Sequence, residues 1–284
     1  MRILRADHLG MCFGVRDAIA LALEQARQAP LTILGDLVHN DTVLATLRAR
    51  GIRFADQPSA AATTSVMITA HGASTAAINR VREHGHTVVE ATCPLVHVAH
   101  RAVAKLVLDG FHPVIIGQRH HVEVRGITED LAEFDVVLHD ADIDALRERP
   151  RFGVAAQTTQ PIERARALVE RLRRRFPNSE IRWVDTVCQP TKQRQAAAVA
   201  LARQCDTVVV IGGAHSNNTR ELVESCRRHC PRVFHVQTAA DLCPEWFEGA
   251  QTVGLTAGTS TPDSIIHEIE VRLAHLPHAA QLAA

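Results

Sequence analysis

Three of the seven cysteines, Cys12, Cys93 and Cys188, each open the same run of events. After Cys12 the segment Val15 to Gln28 carries Ala and Leu at helical spacing, and "LTILG" then reads as a short buried strand ending at Gly35. After Cys93 a comparable helix runs to Leu108 and "PVIIG" ends at Gly117; after Cys188, "RQAAAVALARQC" leads into "TVVVIG" and Gly212. The spacing from cysteine to glycine agrees across the three copies to within a single position. One thiol per repeat, each at a helix start where the partial positive charge favours thiolate, supplies three soft donors to a shared centre. Structural zinc usually takes four protein ligands with pairs close in sequence, and none of the three has a CxxC partner. Three widely spaced thiolates suit an iron–sulfur cluster, and a four-iron cluster held by three of them keeps one iron for substrate. The competing explanation is a small buried hydrophobe at each helix start. Recurrence at matched positions favours the ligand. Cys205, Cys226, Cys230 and Cys243 fall only in the last third, and without a CxxC pair they read as core or surface residues ahead of a zinc site.

Polar residues recur in the same register. "HND" begins at His39, "HVE" at His121 and "SNN" at Ser216, again matched to within one position when counted from the cysteine of each copy. A further set, "MITAHGAST" around His71, "GVAAQTTQP" around Thr158 and "VGLTAGTSTP" around Ser260, places small polar residues after short apolar strands. With Asn217 and Asn218, these are hydrogen-bonding groups at the mouths of helices, where unpaired backbone N–H groups already attract anions. The ligand this pattern fits is a diphosphate, and no GxxxxGK[ST] loop suggests a triphosphate site. Glu123 is the leading acid, since negative charge nearby would raise its pKa and let it carry a proton near neutrality. Asp41, at the matching place after His39, is its rival. Pro161 and Pro262 are expected at first helical positions, capped by Gln160 and Thr261.

These residues need elements to hold them. Strands alternating with helices imply parallel sheets, and the ends of such strands are where ligands bind. The expected fold is α/β, with three units of one design at 1–92, 93–187 and 188–284, arranged about a pseudo-threefold axis in one compact body. The last residues, from Leu276, read as a frayed end. A chain of 284 residues, 46% hydrophobic, can bury a large core. Its 31 basic and 31 acidic residues give no general attraction to nucleic acid or to an anionic membrane. The basic run "RLRRRFP" from Arg171 lacks the aromatic interleaving of a nucleic-acid surface. No apolar run has transmembrane or signal-peptide character, so a cytoplasmic protein with reduced thiols is expected.

Taken together, "GMCFGVRDAI", "LVHN", "AHGAS", "EATCPLV", "HVEV", "QTT", "DTVCQPTKQRQ", "SNN" and "TAGTSTP" resemble 4-hydroxy-3-methylbut-2-enyl diphosphate reductase, the LytB/IspH family, in order along nearly the whole chain. The resemblance implies a trefoil of three α/β domains around a [4Fe-4S] cluster on Cys12, Cys93 and Cys188. It also implies reductive dehydroxylation of an allylic diphosphate to isopentenyl and dimethylallyl diphosphates, the last step of the non-mevalonate pathway. By the same resemblance His39, His71, His121, Ser216, Asn217, Asn218 and Ser260 meet the diphosphate, Thr158 lies near the hydroxyl and Glu123 donates the proton. A ferredoxin or flavodoxin-type protein would supply electrons, as no Rossmann or flavin fingerprint is present. The chain departs from the family pattern at Asn217, in place of Ser, and at His120, Val122 and Arg125, in place of Gly, Pro and Glu. The altered loop motivates an alternative, a paralogue using its cluster as a redox or iron sensor.

Overall fold

The computed structural model describes residues 1–276 and is an α/β structure with three four-stranded sheets. The expectation for the C-terminal end, apart from Leu276, lies outside the described residues. The chain begins with β1 (Arg2–Arg5) and α1 (Phe13–Gln28), then β2 (Leu31–Leu34), α2 (Asp41–Ala49), β3 (Arg53–Ala55), β4 (Ser65–Ile68), α3 (Thr75–Glu83) and β5 (Thr87–Glu90). Next come α4 (Pro94–Leu108), β6 (His112–Ile116), α5 (Val122–Thr128), β7 (Asp135–Val137), α6 (Asp140–Asp144), β8 (Arg151–Ala156), α7 (Ile162–Arg175) and β9 (Glu180–Trp183). The last stretch holds α8 (Gln189–Ala202), β10 (Thr207–Ile211), α9 (Asn217–Arg227), β11 (Arg232–Val236), β12 (Thr252–Ala257) and α10 (Asp263–Ala274).

The sheet orders are β3-β2-β4-β5, β7-β6-β8-β9 and β11-β10-β12-β1, and every pairing is parallel. The three orders are one design. In the first two sheets the fourth strand is the one that runs on to the next cysteine. The third sheet takes its fourth strand from the start of the chain, where β1 pairs with β12 in register Arg2 to Thr252. A first unit of 1–92 therefore does not hold at its N-terminal end: β1 belongs to the sheet of the third.

By its internal packing the chain divides into two compact units. One comprises Met1–Phe13, His39–Val43 and the chain from Gln189, and contains the third sheet. The other comprises Gly14–Val38 and Leu44–Cys188, and contains the first two.

Why the strands form is plain from their burial. All of β10 is buried, and an apolar run covered on both faces is what a parallel sheet under helices requires. Val208 and Val210 pack with Ala198 and Leu201 of α8 and Leu222 of α9. The alternate residues Val209 and Ile211 meet Ile266, Ile269 and Leu273 of α10. The second sheet repeats the plan: Val114 and Ile116 face Leu168 and Leu172 of α7, while Ile115 faces Ala99 and Val103 of α4 and Val124 of α5.

The two prolines fall one place outside the expected position. Pro161 and Pro262 are the residues preceding α7 and α10, in extended conformation with ψ of 123° and 147°. Gln160 and Thr261 do not cap; Gln160 Nε2 donates to Gln157 Oε1 at 3.1 Å and Thr261 Oγ1 to Ile211 O at 3.1 Å, so both are bound to strand ends.

Candidate active site

Each of the three cysteines sits in the residue just before or at the entry to a long helix, with α1 starting at Phe13, α4 at Pro94 and α8 at Gln189. All three thiols are partly buried and none is in a disulfide. Their backbone N–H groups repeat one bond. Cys12 N donates to Thr259 O (3.0 Å), Cys93 N to Ala70 O (3.1 Å) and Cys188 N to Thr158 O (3.0 Å). Each acceptor stands two residues beyond the end of an equivalent strand, β12, β4 or β8. The residue after that acceptor is Ser260, His71 or Thr159. Thus the strand ends that carry the polar motifs also fix the cysteines.

Within the unit of the first two sheets, His121 caps α5, its Nδ1 accepting from Glu123 N at 3.1 Å. With Nδ1 as acceptor, the neutral ring carries its proton on Nε2 and presents that atom as a donor. His71 meets His121 edge to face, with ring centroids 5.5 Å apart. Glu123, only 2% exposed, accepts from Thr158 N at 2.6 Å and from Thr158 Oγ1 at 2.9 Å. Thr158 O in turn receives Cys188 N. One residue therefore joins the acid to a cysteine.

Burial, which disfavours the ionised form, pushes the Glu123 carboxyl up to about 7, against the lowering effect of both Thr158 bonds. The expected direction holds, but the cause is desolvation by the surrounding protein. Asp41, its rival, is by contrast exposed at the start of α2.

Within the other unit Ser216 caps α9, accepting from Thr219 N at 3.3 Å. Two residues on, Asn218 Oδ1 accepts from Thr259 N at 3.0 Å. Asn218 therefore stands where Glu123 stands in the second copy: each holds the N–H of the residue whose carbonyl receives a cysteine. An amide at one place and a carboxyl at the other leave a single titratable group. Ser260 Oγ donates to His39 O at 3.1 Å, and a Cβ on Gly213 would lie 2.4 Å from the same oxygen, so only glycine admits the His39 backbone there. Asn217 is 2% exposed, and its replacement of serine leaves α9 intact.

The altered loop keeps its geometry. His120 and Arg125 are exposed and Val122 begins α5, while His121 N donates to Gln118 O at 2.9 Å to close the turn that a glycine and a proline would otherwise shape. Nothing in it removes the acid, and the sensor alternative gains no support. The zinc reading of the C-terminal cysteines is likewise unsupported. Cys205, Cys226 and Cys230 are buried while Cys243 is exposed, and Cys230 Sγ donates to Cys205 O at 3.3 Å. Burial pushes the Cys205 and Cys226 thiols up to about 11 and about 12, holding them protonated.

Three residues escaped the sequence reading as parts of the site. Asn40 caps α2 through Val43 N at 3.2 Å, so the position equivalent to the caps His121 and Ser216 is Asn40, one place after His39. Gln157, fully buried, accepts from Gln118 N at 3.1 Å and ties the His121 loop to β8. Thr186 Oγ1 donates to Ala156 O (2.6 Å) and accepts from Ala156 N (2.8 Å), holding the approach to Cys188. Its only signal was a threonine shortly before the cysteine.

The chain is similar to known proteins along nearly its whole length. A family model described as LytB protein matches residues 3–274. A 4-hydroxy-3-methylbut-2-enyl diphosphate reductase of Anaeromyxobacter sp. (strain Fw109-5) is 38% identical over 273 residues, 95% of each chain, and one of Aquifex aeolicus is 34% identical over 277 residues, 95% of each. The solved E-1-hydroxy-2-methyl-but-2-enyl-4-diphosphate reductase of Plasmodium falciparum superposes with a TM-score of 0.91 at 26% identity, covering 97% of this chain and 89% of that one. A solved (E)-4-hydroxy-3-methyl-but-2-enyl diphosphate reductase, described as the terminal enzyme of the non-mevalonate pathway, superposes with a TM-score of 0.69 at 34% identity, covering 96% and 99%. With a repeated cysteine anchorage, an acid clasped by Thr158 and a family match along almost its whole length, this chain belongs to the LytB protein family.

Proposed function

We propose that the protein is a 4-hydroxy-3-methylbut-2-enyl diphosphate reductase, an oxidoreductase that removes the allylic hydroxyl of its substrate as water to give isopentenyl and dimethylallyl diphosphates. The observation that supports this reading is the Glu123–Thr158–Cys188 connection, a protonatable carboxyl bonded to the residue whose carbonyl receives the N–H of a cysteine.

The residues present fit an iron–sulfur group. Three partly buried thiols recur at equivalent helix starts, and a Cβ on Gly14 would lie 2.4 Å from Cys93 Sγ, so the glycine keeps that sulfur clear of side chains. Cys12, Cys93 and Cys188 would hold a [4Fe-4S] cluster, which when bound supplies single electrons and a Lewis-acidic iron for the hydroxyl.

The chain's own residues do the rest. Glu123, with its carboxyl pushed up to about 7, holds a proton in an appreciable fraction of molecules at neutral pH and delivers it to the departing oxygen, oriented by Thr158 N. The Thr158 hydroxyl lies beside the same oxygen and relays or fixes that proton. His39, His71, His121, Ser216, Asn217, Asn218 and Ser260 serve the diphosphate, His121 through Nε2–H and the serines through their hydroxyls, with the starts of α5 and α9 adding backbone N–H groups. Among the described residues no helix is long and apolar enough to cross a membrane. Seven cysteines without a disulfide suit a reducing cytoplasm, where a ferredoxin or flavodoxin-type protein would deliver the electrons.

The test is anaerobic reconstitution with iron and sulfide, followed by assay with dithionite-reduced viologen and the allylic diphosphate. Both products should form, and their rate of formation should fall by roughly 10²- to 10⁴-fold in Glu123→Gln with iron content unchanged. A fully loaded wild-type protein that releases neither product overturns the reading.

A further inference from the structure

His71 and His121 come from different sheets, yet their rings meet. His71 follows β4 of the first sheet, and His121 caps the helix that follows β6 of the second. Something must hold these two segments in register, and the far end of α5 does so. Asp130, just past that helix, accepts from Thr75 N at 2.6 Å and from Ala76 N at 3.0 Å, capping α3 from another segment of the chain. Its neighbour Glu129 accepts from Ser74 Oγ at 2.5 Å and from Arg80 Nη2 at 2.6 Å. Ser74 is fully buried, caps α3 through Ala77 N at 2.9 Å, and lies one short turn of chain after His71.

Between the ring contact and this clasp the two segments touch backbone to backbone. A Cβ on Gly126 would lie 3.3 Å from Ala73 Cα, and one on Gly72 would lie 3.5 Å from His100 Nε2, on the ring that also faces Gly126. The helix α5, two turns long, is the rigid arm linking His121 at one end to the clasp at the other.

We propose that Glu129 and Asp130 are positioning residues that hold the His71 loop against α5 and so set the spacing of His71 and His121 for the diphosphate. The inference rests on the reading of these histidines as diphosphate ligands. An acceptor pair on two successive N–H groups fixes the orientation of a helix more tightly than a side-chain contact, and the serine bond adds a third point nearer the histidine. Both carboxyls are held below their usual range. For Glu129 the Ser74 bond is the largest cause; for Asp130 burial opposes the shift and is outweighed by the Ala76 and Thr75 donors. The clasp is therefore charged throughout the neutral range.

The test compares reconstituted full-length wild type with Asp130→Ala, Glu129→Ala, Glu129→Gln and Gly126→Ala. Read for each are kcat, KM, iron content and the Kd of inorganic diphosphate. Asp130→Ala and Gly126→Ala should raise KM and the diphosphate Kd about tenfold, equivalent to about 1.4 kcal/mol, with kcat within about twofold and iron unchanged. Gly126→Ala reaches the same relation from the opposite side and does not remove a helix cap, so it decides the matter if Asp130→Ala fails to fold. Glu129→Gln, which keeps an acceptor for Ser74, should recover most of the affinity lost in Glu129→Ala. KM and Kd at wild-type values in folded Gly126→Ala and Asp130→Ala overturn the proposal, as does a fall in kcat with KM flat. Wild type that fails to bind diphosphate at all overturns the reading of the histidines and the clasp with it.

Discussion

The Glu123 carboxylate holds Thr158 at two points, its backbone N–H at 2.6 Å and its hydroxyl at 2.9 Å, while the Thr158 carbonyl takes the N–H of Cys188. An acid placed this way has its orientation set by the same residue that anchors a thiol. With its carboxyl pushed up to about 7, Glu123 is protonated in an appreciable fraction of molecules at neutral pH. The protonated form is the donor, so kcat should be flat at lower pH and fall as pH rises through about 7. Glu123→Gln should lower kcat by roughly 10²- to 10⁴-fold and abolish that limb. A kcat profile in wild type without an alkaline limb would separate Glu123 from proton delivery.

Thr158 supplies the two bonds that pull the Glu123 carboxyl down against burial. Thr158→Val keeps the N–H bond and the shape but deletes the hydroxyl. The ionised form then loses a donor, so the alkaline limb of kcat should move to higher pH while kcat itself falls. Thr158→Ser should bring the limb back. A limb that stays in place in Thr158→Val would show that the hydroxyl does not reach the carboxyl in solution.

The sequence made the sheets and cysteines legible because their signals are local. A short apolar run ending at Gly35, Gly117 or Gly212 is a buried strand whatever surrounds it, and the spacing back to the cysteine repeats. What stayed hidden depends on distant pairing. The start of the chain gives no sign that Arg2–Arg5 completes the sheet of β12, since its partner strand comes near the opposite end of the sequence. The matched triplets already pair Asn218 with Glu123, but the bonds these two make, like those of Gln157 and Thr186, join a side chain to a backbone remote in sequence, and residue types alone do not announce them. The clasp at Glu129 and Asp130 is of the same kind.

The C-terminal cysteines should behave as packing residues. Cys205, Cys226 and Cys230 are buried and Cys243 is exposed, so an alkylating reagent applied to the native holoprotein should label Cys243 and reach the other three only on unfolding. Cys226→Ala should cost on the order of 1 kcal/mol of stability through the small cavity it opens. Its iron content should equal that of wild type, whereas Cys12→Ser, Cys93→Ser and Cys188→Ser should each lose iron. Loss of metal in Cys226→Ala would give these thiols a ligand role.

Glu123 also ties stability to pH, and the sign follows from its raised carboxyl. Its folded value of about 7 lies above the ordinary 4.5, so the fold disfavours the ionised form and the unfolded chain releases the proton first. Below about 4.5 both states hold the proton and the residue imposes no penalty. Between there and about 7 the unfolded state gains progressively, and above that window the penalty is constant, at most on the order of 3 kcal/mol. Glutamine cannot ionise. The stability of Glu123→Gln relative to wild type should therefore rise with pH across this window and level off above it, as read by denaturant unfolding of anaerobic samples at matched iron content. A stability difference that stays flat from pH 4.5 to 8 would mean that the buried carboxyl is solvated or paired in solution.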